Sequence, residues 1–75
     1  MMLDKVKLNI NCKIIKIKIE NERLKTRLME LGLIEKSYIK VIKKSILKKT
    51  FLVIFNSSCF TLKSNLAQMI EVEYA

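Results

Sequence analysis

Period-two alternation of apolar and polar positions recurs along this chain, broken once by a helical stripe. Ile15, Ile17 and Ile19 alternate with Lys16 and Lys18, the signature of a half-buried strand. The strand is read as Cys12 to Ile19, with β-branched residues on its buried face. Ile14 falls out of phase, which predicts a bulge or bend near Cys12 to Ile14. Leu3, Val6, Leu8 and Ile10 form an apolar lead-in before it. Leu24, Leu28 and Leu31 then stand at i, i+4 and i+7, one face of an α-helix of about three turns. Alternation resumes at Tyr38–Lys44 and again at Met69–Tyr74, where Ile70, Val72 and Tyr74 interleave with Glu71 and Glu73. Between them, Thr50–Phe55 is apolar at five successive positions, which predicts a strand covered on both faces. Cys59–Lys63 returns as a fourth strand, with Phe60 and Leu62 on one face.

The boundaries carry their own chemistry. Asn21 is a good N-cap, and Glu22 puts an acid in the first helical turn where the dipole favours it. Gly32, the only glycine, stands where a left-handed residue ends a helix without steric cost. Leu33 follows, placed to touch Leu28. Asn56-Ser57-Ser58 reads as a tight hairpin turn. Ser64–Ala67 reads as one helical turn, capped by Ser64 or Asn65. Ser45 to Lys49 is a loop with two unexpectedly apolar residues, Ile46 and Leu47. The expectation is a mainly β domain over residues 1–75. It has about five short strands curled into a closed or nearly closed barrel, one α-helix between strands 1 and 2, and a short helical turn before the last strand.

The composition narrows the function. With 75 residues and 51% hydrophobic content, the chain is one small domain with a packed core. The longest uncharged run, Thr50 to Leu62, is too short to span a bilayer at roughly 20 residues per helix. The first residues lack the apolar stretch of a secretory signal, so a soluble, cytoplasmic protein without membrane insertion is expected. The formal charge of +8 points towards an acidic partner, nucleic acid or an anionic membrane face. Against nucleic acid, only two of the basic residues are arginines, the side chain suited to bidentate contacts. Lysine, isoleucine and asparagine are abundant throughout, as in the proteins of AT-rich genomes.

Catalytic chemistry is absent from the pattern. There is no histidine to serve as base, one glycine cannot build a phosphate loop, and no carboxylate pair stands out. No metal site is expected. Cys12 and Cys59 fall short of the three or four ligands zinc requires, and are read as reduced thiols in a small apolar role. Weak transition-metal binding at a surface thiol or carboxylate stays open. Met29, Leu33, Ile34, Ile46 and Leu47 are the candidate partner-binding residues, an apolar patch contributed by the helix flank and the loops.

The order of elements and the run Arg27-Leu28-Met29-Glu30-Leu31-Gly32-Leu33 resemble the ferrous iron transport protein A (FeoA) family. That family carries an Arg-Leu-x-x-Leu-Gly-Leu/Met signature at its helix end, matched here through Arg27, Leu28, Leu31 and Gly32. Its later signature is matched by Leu62-Lys63, Ala67 and Ile70-Glu71-Val72, with Lys63 in place of the common arginine. Glu35-Lys36 stands where the family usually has a Pro-Gly turn, and the Ser45–Thr50 loop has none of the family's usual proline, glycine or acid there. The resemblance covers Leu8 to Val72. It implies an SH3-like β-barrel without enzymatic activity, acting in the cytoplasm as an accessory or regulatory partner of the large FeoB-type membrane GTPase permease that imports ferrous iron. The alternatives are a small basic barrel that binds nucleic acid and a metal-responsive SH3-like interaction module. Self-association is compatible with any of these.

Overall fold

The computed structural model describes residues 1–75. A 3-10 turn at Leu3–Lys5 leads into strand β1, Cys12–Ile17, and helix α1, Glu22–Glu30. Three strands follow, β2 Tyr38–Ser45, β3 Thr50–Phe55 and β4 Ser58–Lys63, then helix α2, Ser64–Ala67, and strand β5, Ile70–Tyr74. The five strands form one antiparallel sheet in the order β4-β3-β2-β1-β5. The sheet curls around a core of 16 residues, every one apolar. α2 carries the chain between the two outermost strands and packs beside the N-terminal 3-10 turn. The edge of β5 is occupied by the start of the chain: Met2 bridges Glu71, and the Val72 amide donates to the Met1 carbonyl at 2.7 Å. That pairing removes one of the two open edges a barrel of this size must manage.

β1 does have an irregularity, one residue later than the pattern suggested. Its register against β5 slips between Ile14 and Lys16. Cys12 and Ile14 point inward before the slip, and Ile17 and Ile19 after it. Ile15 is the extra residue and is 40% exposed, whereas Ile14 is fully buried. A bulge switches which alternate residues face the core, so two inward phases join within one strand. β2 has a similar slip between Val41 and Lys43.

In β3 only one face is covered. Phe51, Val53 and Phe55 are buried, Leu52 is half-buried and Ile54 is exposed. The sheet wraps a single core, so its outer face meets solvent despite the continuous apolar run. The β3–β4 connection is a two-residue turn, with Asn56 at φ 52° and Ser57 at φ 60° and Phe55 paired to Ser58. Positive φ at both central positions is the type I′ geometry that matches strand twist. Phe55 and Phe60 stack across the hairpin with ring centroids 4.3 Å apart. In the lead-in, Leu3 and Val6 are buried but Leu8 and Ile10 are exposed. α2 is preceded by Lys63 as its cap residue, with no side-chain cap from Ser64 or Asn65.

Candidate partner-binding site

α1 begins and ends through local chemistry. Asn21 caps it, its side-chain oxygen accepting from the Leu24 amide at 3.1 Å. At the other end Leu33 N–H donates to the Leu28 carbonyl at 2.9 Å and Gly32 N–H to the Met29 carbonyl at 3.0 Å. This pair of bonds is the Schellman closure, with Gly32 at φ 110°. The cap is also a tertiary joint. Asn56 Nδ2, from the β3–β4 turn, donates to the Leu31 carbonyl at 3.2 Å. The turn lies so close that a β-carbon on Gly32 would sit 2.6 Å from that of Asn56.

This joint sets what the helix presents. No residue of α1 is fully buried. Leu24 and Leu28 are half-buried against the core, while Leu31 is 40% exposed. The chain reverses at Gly32, and the inward position falls to Leu33, which is fully buried. Leu31 is therefore not part of the core face, and Leu33 cannot offer its side chain to a partner.

Of the clefts along the helix, two have largely apolar walls. One, of ≈ 490 Å³, is lined by Ile17, Met29 and Ile34, with Lys25 and Glu35 supplying one charge of each sign. Met29 and Ile34 are 47% and 44% exposed over the nearly buried Ile17. The structure thus brings two of the five expected partner-binding residues into one apolar groove and adds Ile17, whose role nothing in its local pattern distinguished from core. Ser37 Oγ donates to the Ile34 carbonyl at 2.6 Å and steadies the loop that carries Ile34. The second cleft, of ≈ 400 Å³, is lined by Leu24, Leu28, Thr61, Leu62, Lys63, Asn65 and Leu66. Here Leu28 and Leu62, from segments over thirty positions apart, share one wall, and Ala67 is fully buried. Arg27 lies exposed on the outer side of the helix.

Ile46 and Leu47 do not join either cleft. They occupy the turn between β2 and β3, at the opposite end of β3 from the Asn56 joint. Six residues of strand, roughly 17 Å, separate the two ends. The expected single apolar patch is therefore two separate surfaces.

The titratable groups hold no cluster of three or more His, Cys, Asp or Glu able to enclose a metal. Cys12 and Cys59 are free, the first buried and the second exposed. Burial pushes the Cys12 thiol above its ordinary value. Glu71 pairs with Lys18 at 3.1 Å, and that hydrogen bond and charge hold its carboxyl below the usual range.

The architecture is that of a small SH3-like β-barrel with a peripheral helix and exposed apolar clefts beside it. By a family model that matches residues 1–74, the chain belongs to the FeoA domain family. Among solved structures it is similar to the FeoA protein from Chlorobium tepidum, at 27% identity and a TM-score of 0.89, covering 99% of this chain and 70% of that one. It is similar to iron(II) transport protein A from Clostridium thermocellum at 21% identity and a TM-score of 0.87, covering all of this chain but 46% of that one. The chain thus spans less than half the length of that relative. A manganese-dependent transcriptional repressor shares the fold over 100% of this chain and 41% of its own, at 17% identity and a TM-score of 0.87. No curated protein matches this sequence. No helix is long and apolar enough to cross a membrane.

Proposed function

We propose that this protein is an accessory, regulatory component of bacterial ferrous iron uptake. In this reading it binds the cytoplasmic GTPase portion of a FeoB-type membrane permease through the groove of Ile17, Met29 and Ile34. The observation that carries the reading is the FeoA family match over residues 1–74. The groove supports it chemically. An apolar floor with one cation and one anion at its rim fits a partner segment that buries an aliphatic or aromatic anchor and crosses the rim with opposite charges. Met29 suits such a site because its flexible thioether adapts to irregular shapes.

The test is calorimetric titration of this chain with the GTPase portion of the permease from the same genome, with no nucleotide, with GDP and with a non-hydrolysable GTP analogue. Binding is expected in at least one state. Met29→Ser and Ile34→Ser together are expected to weaken it by roughly tenfold or more, since each removes about 1 kcal/mol or more of apolar burial. No binding in any nucleotide state would end the proposal. Undiminished binding by the double variant would move the contact elsewhere.

A further inference from the structure

The turn between β2 and β3 presents Ile46 and Leu47 at 89% and 97% exposure, the most exposed large apolar side chains in the molecule. They are not there through a loose loop. Lys48 N–H donates to Ser45 Oγ at 3.4 Å, and Ser64 N–H to the Lys49 carbonyl at 2.9 Å, which ties the base of the hairpin to α2. The segment that carries the hairpin is uniformly cationic. Residues 36–70 contain seven lysines and no Asp or Glu, so this segment carries +7 of the formal +8. Lys44 is committed internally, its ammonium donating to the Asp4 and Val6 carbonyls at 3.1 and 2.7 Å. Lys43, Lys48, Lys49 and Lys63 are exposed, with Lys63 paired in register to Thr50 at the root of the turn. Beside the tip a cleft of ≈ 290 Å³ is lined by Lys43, Ser45, Lys48, Thr50, Leu52 and Thr61. Two ammonium groups and three hydroxyls around one concavity are a donor set for a phosphate.

We infer that the β2–β3 hairpin is a membrane-surface anchor: Ile46 and Leu47 enter the acyl region of an anionic bilayer, and the flanking lysines meet the headgroup phosphates. Charge complementarity selects this occupant. An apolar pair projecting beyond a ring of cations matches a bilayer in depth, negative outside and hydrocarbon beneath. Nucleic acid has the charge but no place for two aliphatic tips, and the arginines and exposed aromatics that bind it are missing here. The cleft seats one lipid phosphate while the tip is inserted. Two aliphatic side chains do not span a membrane. Binding is therefore reversible and needs both the apolar and the electrostatic contribution. The inference does not rest on the iron-uptake reading, and the permease-binding titration tests that reading separately.

The experiment is co-sedimentation of the full chain with vesicles of phosphatidylglycerol and phosphatidylcholine in equal parts, and with phosphatidylcholine alone. Binding to the anionic vesicles only is expected, weakening as salt rises because the exposed charges are screened. Ile46→Ser with Leu47→Ser is expected to lower the partition coefficient by about tenfold or more. Lys48→Gln with Lys49→Gln is expected to do likewise, at roughly fivefold per lysine. Both substituted pairs are solvent-exposed, so circular dichroism should match the parent. Four results overturn the inference. The first is no binding to anionic vesicles. The second is binding undiminished by the serine pair, which would mean adsorption by charge alone. The third is a lipid-free dimer that the serine pair dissociates, which would assign the tip to a second copy of the chain. Displacement from the vesicles by free glycerol phosphate would assign the cleft to a soluble phosphate and overturn it as well.

Discussion

Replacing Gly32 by alanine should damage this small domain more than any other single methyl group would. The residue has φ 110°, where an L side chain is strained. A non-glycine residue on the left-handed side costs roughly 1–2 kcal/mol. The added β-carbon would also lie 2.6 Å from Asn56 Cβ, closer than such atoms approach. Asn56 cannot swing clear by changing rotamer, because its Cβ is fixed by a backbone held at φ 52° in the type I′ turn. The turn must move, and overpacking of this kind costs about 1–3 kcal/mol. Moving it also stretches the Asn56 to Leu31 hydrogen bond, worth about 1 kcal/mol. The expected total is roughly 3–6 kcal/mol. A domain of this size has about 4–11 kcal/mol in all, so urea unfolding followed by circular dichroism should show a large shift in midpoint. The two causes separate in a double-mutant cycle. Asn56→Gly removes the clashing atom and the hydrogen bond to Leu31 and tolerates the turn geometry, so in that background Gly32→Ala should cost about 2–4 kcal/mol less than in the parent. A variant within about 1 kcal/mol of the parent would refute the strain reasoning. An equal cost in both backgrounds would refute the clash.

Phe55→Ala and Leu28→Ala should separate core from helix. The first deletes a nearly buried ring stacked on Phe60 and should cost about 3–5 kcal/mol. The second deletes a half-buried side chain and should cost less than half as much in the same unfolding assay. Lys36 sits at φ 72°, at the place where the FeoA family commonly has glycine. Lys36→Gly should therefore leave stability unchanged or raise it by up to about 1 kcal/mol, the relief of strain exceeding the added freedom of the unfolded chain. A loss of stability on that substitution would show that the lysine is held there by favourable contacts.

The elements with local causes were legible in the residues. Asn21 and Gly32 bracket α1 through hydrogen bonds to atoms three or four positions away, and β3 runs over Thr50–Phe55 as its apolar run indicates. The same holds for the Asn56 hairpin, whose turn needs residues that accept positive φ. The structure departs from the local pattern in phase and in assembly. Isoleucines at 14, 15, 17 and 19 are chemically equal, and which one is expelled depends on how β1 registers with β5. Leu31 and Leu33 flank the same glycine, and the direction of chain reversal decides that the second is buried.

The candidate site divides along the same line. Its materials are written in the residues: a helix ending in a glycine cap, an apolar residue on either side of that cap, and an apolar pair in a lysine-rich loop. These are short-range facts of backbone geometry and side-chain type. It is the packed fold that brings Met29 and Ile34 together over Ile17, withdraws Leu33 into the core, and sets Ile46 and Leu47 at the far end of β3. Those outcomes follow from strand register and from the contact between Gly32 and Asn56, residues over twenty positions apart. Pairings at that separation are chosen by the packing of the whole core, and no local pattern along the chain encodes them.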